Sequence, residues 1–160
     1  VLIDRLGELE RLKAAAAAEQ ARVTAAFVAA RRAREEAAGI PEAKRGRGVC
    51  SEVALARRAS PYRGNRHVGF AHALVYEMPH TLAALESGML TEWRATLIVR
   101  ESACLALEDR RASDAELGGD PSTVVGWGDT RIAAEAKRSP TVWTRTRSST
   151  APAKPGPSGM

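Results

Sequence analysis

The side chains that could do chemistry are few and poorly spaced for it. The chain has 3 histidines and 2 cysteines in 160 residues. His67 and His72 stand five positions apart, whereas two metal ligands on one helix face need i, i+4 spacing. No acidic or cysteine ligand stands at matching spacing. His80 follows Pro79 and reads as a residue that caps or packs a short helix. Cys50 and Cys104 form no CxxC pair and are expected as buried, reduced thiols. Glu101, Glu108, Asp109 and Asp114 read as helix-surface acids rather than a catalytic carboxylate pair. The reading is therefore no catalytic residue, no metal site and no cofactor. What does cluster is positive charge. Lys44, Arg45, Arg47, Arg57, Arg58, Arg63 and Arg66 fall within one stretch whose only acid is Glu52. Intervening glycines leave room for phosphates, and Tyr62 can stack on a base. The competing reading is a solvated surface, with some of these arginines paired to acids of the first helix.

Composition sets the scaffold for this segment. The length allows one domain with a tail, and a domain near 150 residues can bury roughly 70% of its unfolded surface. Aromatics make up only 4%, and alanine is the commonest residue. Both facts favour closely packed helices over strands. The net charge of +5 is less telling than it looks. Arg145, Arg147 and Lys154 contribute +3 of it from residues 139–160, so only local clustering bears on nucleic acid. No apolar run approaches the roughly 18 residues of a membrane span, so no membrane partner is expected. The start, Val1-Leu2-Ile3-Asp4-Arg5, lacks the pattern of a signal peptide, and the default compartment is the cytoplasm.

The elements follow an all-α pattern: one long N-terminal helix, an irregular bundle of shorter helices and a disordered tail. Residues 8–38 contain neither Gly nor Pro, and Gly39 suits a helix C-terminus. Leu2, Leu9, Ala16, Val23 and Ala30 fall seven apart, with Leu6, Lys13, Gln20 and Phe27 between them. This stripe predicts a seam for an antiparallel neighbour within the chain, or for self or another helical protein along Leu2–Ala38. A basic loop follows from Ile40 to Gly48. A helix runs from Ser51 to Ala59, Ser60-Pro61 breaks it, and Gly64-Asn65 reads as a turn. Val68, Ala71, Leu74, Val75 and Met78 keep helical spacing. Thr81–Ser87, closed by Gly88, is a short helix. Thr91 reads as an N-cap, and Leu107–Leu117 as a further helix. Gly118-Gly119-Asp120-Pro121 reads as a stop, a cap and a first-turn proline. Asp129 is expected to cap a helix over Thr130–Arg138. The predicted core is Leu55, Phe70, Leu74, Leu82, Leu85, Trp93, Leu97 and Ile98, with Trp127 docked on the helical body.

Several stretches carry a resemblance. They are Glu52-Val-Ala-Leu-Ala, Ser60 to Ala71, Met78 to Gly88, Thr91-Glu92-Trp93-Arg94-Ala95, and the run from Glu108 to Leu117. Over residues 49–138 the chain resembles the domain of unknown function 222. That family is mostly helical, is common in high-GC Gram-positive bacteria, and usually stands upstream of an HNH endonuclease domain in one polypeptide. The resemblance implies a module attached to nuclease function, without established catalytic residues to carry over. Ala106 and Leu107 depart from the capping residue and proline expected at that helix start. The histidine-bearing ββα unit of an HNH nuclease has no counterpart here, since no histidine follows His80. The organisation expected is a long helix over 1–40, a helical domain over 49–138, and a tail over 139–160. The function expected is a non-catalytic helical module that helps an HNH-type nuclease engage DNA, weakly and non-specifically, here separated from its catalytic half. The alternatives are an interaction or oligomerisation module, or a gene remnant.

The tail carries its own expectation. Residues 139–160 are mostly Pro, Ser, Thr, Gly and Arg, a composition that buries too little to fold. Reading its codons one base earlier turns Ser139, if encoded TCN, into an apolar residue. The same shift turns Trp143-Thr144 into an apolar residue followed by Asp. With GC-rich wobble bases a Leu-Asp-Pro continuation results, and a Leu-Asp-Pro motif is common at this place in the family. A reading-frame change near Arg138 is therefore expected, and the gene sequence tests it.

Overall fold

The computed structural model describes residues 1–120 and 122–138. Pro121 and the expected tail, with its frame change, lie outside the described residues. The described residues are mostly helical, with no strand among them. Helix α1 spans Leu2–Ala37, about 54 Å of helix at ~1.5 Å per residue. It closes as the sequence predicts. Gly39 adopts φ +73°, its N–H donates to the carbonyl of Glu36, and the N–H of Ile40 donates to that of Glu35. That pair of bonds is a Schellman closure, which glycine permits because it has no Cβ to clash in the left-handed region.

Seven further helices follow: α2 (Val49–Ala56), α3 (Pro61–His72), α4 (Pro79–Glu86), α5 (Glu92–Glu101), α6 (Leu107–Gly118), α7 (Ser122–Val125) and α8 (Asp129–Ala136). Alpha3 runs on without a break into one π-helical stretch, Ala73–Glu77. Two buried clusters hold them together. The first joins Ala14, Ala17, Ala18 and Ala21 of α1 to Ala71, Leu74, Leu82, Leu85 and Ala95. The second gathers Met78, Ala84, Leu90, Ile98, Leu117, Val124, Ile132 and Ala136. Alpha1 is thus built into the body by its alanine face. Small side chains let α3, α4 and α5 pack against it.

Several expectations change. The heptad stripe of α1 is not its packing face: Leu2, Leu9, Ala16, Val23 and Ala30 are all exposed. Burial of the alanines lets the neighbouring helices pack close, and the leucines fall beside that face. Gly64-Asn65 is no turn but lies inside α3, where a Cβ on Gly64 would stand 2.0 Å from the carbonyl oxygen of Cys50 in α2. The glycine allows two helices to touch. Alpha2 stops at Ala56 rather than Ala59, and Arg58 just beyond it has φ +52°.

Of the predicted core, Leu74, Leu82, Leu85, Leu97 and Ile98 are buried and Phe70 is half-buried. Leu55 is 80% exposed, because it points nearly opposite the Val49–Val53 face of α2. Trp93 is 54% exposed, to one side of the Ala95–Ile98 face of α5. Asp114 is fully buried, not a surface acid. It accepts the backbone N–H groups of His80 and Thr81 and the Thr81 hydroxyl, and so caps α4 from α6. Cys104 is exposed and Cys50 half-buried. Asp129 starts α8 without capping it, because its carboxylate is drawn to Trp93 and Arg94. Thr91 does cap α5, accepting from Arg94 N. Trp127 packs partly buried against the second cluster, under Arg131.

Candidate nucleic-acid interface

The basic segment does not form one patch. Its first part is stitched to the C-terminal end of α1. Arg45 donates from Nε to the Ile40 carbonyl at 2.8 Å and from its guanidinium to Glu36 at 3.0 Å. The Gly46 N–H donates to Glu35, and Arg31 bridges Glu35 and Glu52. These bonds hold the Glu35 carboxyl below its ordinary range, the Gly46 N–H first and the Arg31 guanidinium second. Arg45 is therefore the helix-paired arginine of the competing reading. Lys44 and Arg47 remain exposed on the same loop.

The second part sits elsewhere. Arg57 donates to Gln20 at 2.7 Å and stands 3.8 Å from Glu92. Gln20 and Glu36 mark where the two parts meet α1, sixteen residues or about 24 Å apart. Proximity in sequence across Lys44–Arg66 was therefore misleading, since α2 carries the chain back along α1 between the two parts.

Beyond Arg57, α3 and α5 enclose a cleft. Arg63, Arg66, His67 and Phe70 share one face of α3 by i, i+3, i+4, i+7 spacing. Glu92, Trp93 and Thr96 of α5 face them, around a space of about 300 Å³. Tyr62 is 73% exposed one turn before Arg66 on the same helix. Trp93 is held by its polar edge: Nε1 donates to Asp129 at 2.8 Å, while the rest of the indole stays open. Arg94 fastens the base of that arrangement, donating to the carbonyls of Val124 and Trp127. His67 is held below its ordinary pKa, first by burial and then by the charge of Arg57.

The structure therefore brings together Arg63 and Arg66, with Tyr62 beside them and Arg57 near by. It leaves Lys44, Arg45 and Arg47 at the far end of α1. Arg58 is exposed at the end of α2 and does not line the cleft. Sequence reasoning missed His67 and Trp93, having weighed one as a metal ligand and the other as core. The spacing of His67 to Arg63 and Arg66 was the available signal. The other two histidines are apart from the cleft: His72 packs at a tilt against Tyr76 and faces Glu77, and His80 is exposed. Among the described residues no group of three His, Cys, Asp or Glu is placed to hold a metal ion. Among them also, no helix is long and apolar enough to cross a membrane.

Chemically the cleft offers two guanidinium groups, an imidazole that gains charge only below its usual range, and an exposed indole. Guanidinium groups pair with phosphate oxygens, and an aromatic face stacks on any base. No family model, no curated protein and no solved structure matches the chain.

Proposed function

We propose that this chain is a non-catalytic helical module that works beside an HNH-type nuclease and contacts DNA through the α3/α5 cleft. The observation that carries the DNA contact is the convergence of Arg63, Arg66, His67 and the open Trp93 on one cleft. The association with a nuclease rests on the resemblance over residues 49–138. Binding is led by phosphate contacts and reads little sequence, because phosphate contacts carry no sequence information of their own. Stacking on Trp93 favours single-stranded over duplex DNA, since only an unpaired base presents its face.

Fluorescence anisotropy with a labelled single strand and the matching duplex tests this. Dissociation constants on the order of 1 to 100 µM are expected at low salt, weakening steeply as salt rises. Arg63→Ala with Arg66→Ala should weaken binding about tenfold or more and flatten the salt dependence. Trp93→Ala should remove the preference for the single strand. Lys44→Ala with Arg47→Ala, at the far end of α1, should change binding far less. Absence of binding at low salt, or equal losses from both arginine and loop variants, would rule the cleft out.

A further inference from the structure

The stripe of α1 left uncovered by the body has two halves of different shape. The N-terminal half is a ridge: every residue from Val1 to Lys13 is exposed, and Leu2, Leu6 and Leu9 are 85%, 59% and 45% exposed. The C-terminal half is a groove of about 630 Å³, with Ala16, Gln20, Val23 and Phe27 on one wall and Val53 and Ala56 of α2 on the other. The ten residues before Arg11, which packs on Gly88, form a helical end of a length that is marginal in water, and Gly7 within it weakens it further. Ridge and groove lie on the same side of one helix, so they cannot meet within one chain.

They do meet between two copies. When two α1 helices run antiparallel, the heptad spacing places Leu2 opposite the partner's Phe27, Leu6 opposite the partner's Val23 and Leu9 opposite the partner's Gln20. The same contacts recur about a twofold axis at the level between Ala14 and Ala15, where the exposed Lys13 faces the partner's Ala16. The dimensions agree: thirteen residues of ridge span about 20 Å, and Ala16 to Phe27 spans about 17 Å. Of the flanking charges, Glu10 is held by Lys13 of its own chain at 2.8 Å, and in this register it falls level with the partner's Glu19, one residue from the Gln20 to which the partner's Arg57 is tied. A parallel pair would instead set Lys13 against the partner's Lys13 and leave the groove empty. We infer that this face of α1 is a self-association surface, on which a second copy of the chain seats its Leu2–Leu9 ridge in the α1/α2 groove to form an antiparallel dimer.

Analytical ultracentrifugation of the full chain should show a reversible dimer at concentrations on the order of 100 µM. Leu6→Glu and Val23→Glu change exposed positions, so the fold should survive, as circular dichroism of the body would verify. Each should raise the dimer dissociation constant by about tenfold or more. Amides of residues 2–13 should be slow to exchange with deuterium in the dimer and fast in either variant, while those of α4 and α5 stay unchanged. Orientation is read with a short bis-maleimide in a chain carrying Cys50→Ser and Cys104→Ser. Leu6→Cys together with Val23→Cys should cross-link to dimer, and Leu6→Cys alone should not. A chain that stays monomeric up to about 1 mM, a dimer indifferent to both glutamates, or efficient cross-linking by Leu6→Cys alone would each overturn the inference.

Discussion

Two glycines of α3, five residues apart, have opposite roles. A Cβ on Gly64 would strike the carbonyl of Cys50, whereas Gly69 has nothing within 4 Å of that position. Gly64→Ala should therefore destabilise the chain by about 1–3 kcal/mol, as overpacking at a rigid helix contact does. Gly69→Ala should be neutral or stabilise by up to about 1 kcal/mol, because alanine is the better helix former. Paired thermal denaturation checks this. Equal shifts for the two variants would mean that α2 and α3 do not make the close contact described. Leu55 and Trp93 show a related point: hydrophobicity alone did not decide burial, because each side chain points away from its helix's packed face.

At the scale of elements, the start of α4 and the end of α5 are held by α6, whereas α5 begins on its own local cap, Thr91. Alpha4 begins at Met78-Pro79 with no side-chain cap of its own, and Asp114 of α6 supplies it. Asp114→Ala leaves buried donors unpaired and should cost about 2–4 kcal/mol, readable by urea denaturation. Arg110, also from α6, donates to the carbonyls of Ser102, Ala103 and Leu105 after α5 and pairs with Glu77. The loop between α1 and α2 depends in the same way on Glu35. Its carboxyl titrates below the ordinary range because of the Gly46 N–H and Arg31. The stabilisation this gives is complete above the ordinary carboxylate pKa and is lost as pH falls through the lowered folded value. Hydrogen exchange of the Gly46 amide, corrected for its intrinsic pH dependence, should lose protection over that acidic window. In Glu35→Gln the protection should be weaker and no longer depend on pH there.

For the whole molecule, α1 decides what surfaces exist. It separates the basic loop from the α3/α5 cleft and leaves its own leucine stripe uncovered. The cleft has a pH signature. His67 is kept uncharged to lower pH than usual by its burial and by Arg57, with Arg63 and Arg66 adding to that effect and Glu92 opposing it. A bound phosphate adds negative charge and raises its pKa towards the ordinary value. DNA affinity should therefore tighten as pH falls from the ordinary histidine value of about 6.5 through the lowered value of the free protein. His67→Gln should flatten this trend without abolishing binding. A pH profile unchanged by that substitution would place the phosphate away from His67.

The sequence by itself determined the helices. Alanine-rich, glycine- and proline-free runs fixed α1 and its closure at Gly39, and Thr91 and Gly88 marked other ends correctly, because these signals act within a few residues; Pro61, read as a break, instead begins α3. It also carried the heptad stripe as a pattern, though not the side of the helix on which the body packs. Only the tertiary structure decided which face is buried, since that depends on how closely α3, α4 and α5 approach the alanines. The same holds for the candidate site. Arg63, Arg66 and Tyr62 were legible as a cluster, but Trp93 joined them through the fold, and Lys44 to Arg47 were removed by it. Such placement is a property of distances between elements far apart in sequence, which no local spacing of residues encodes.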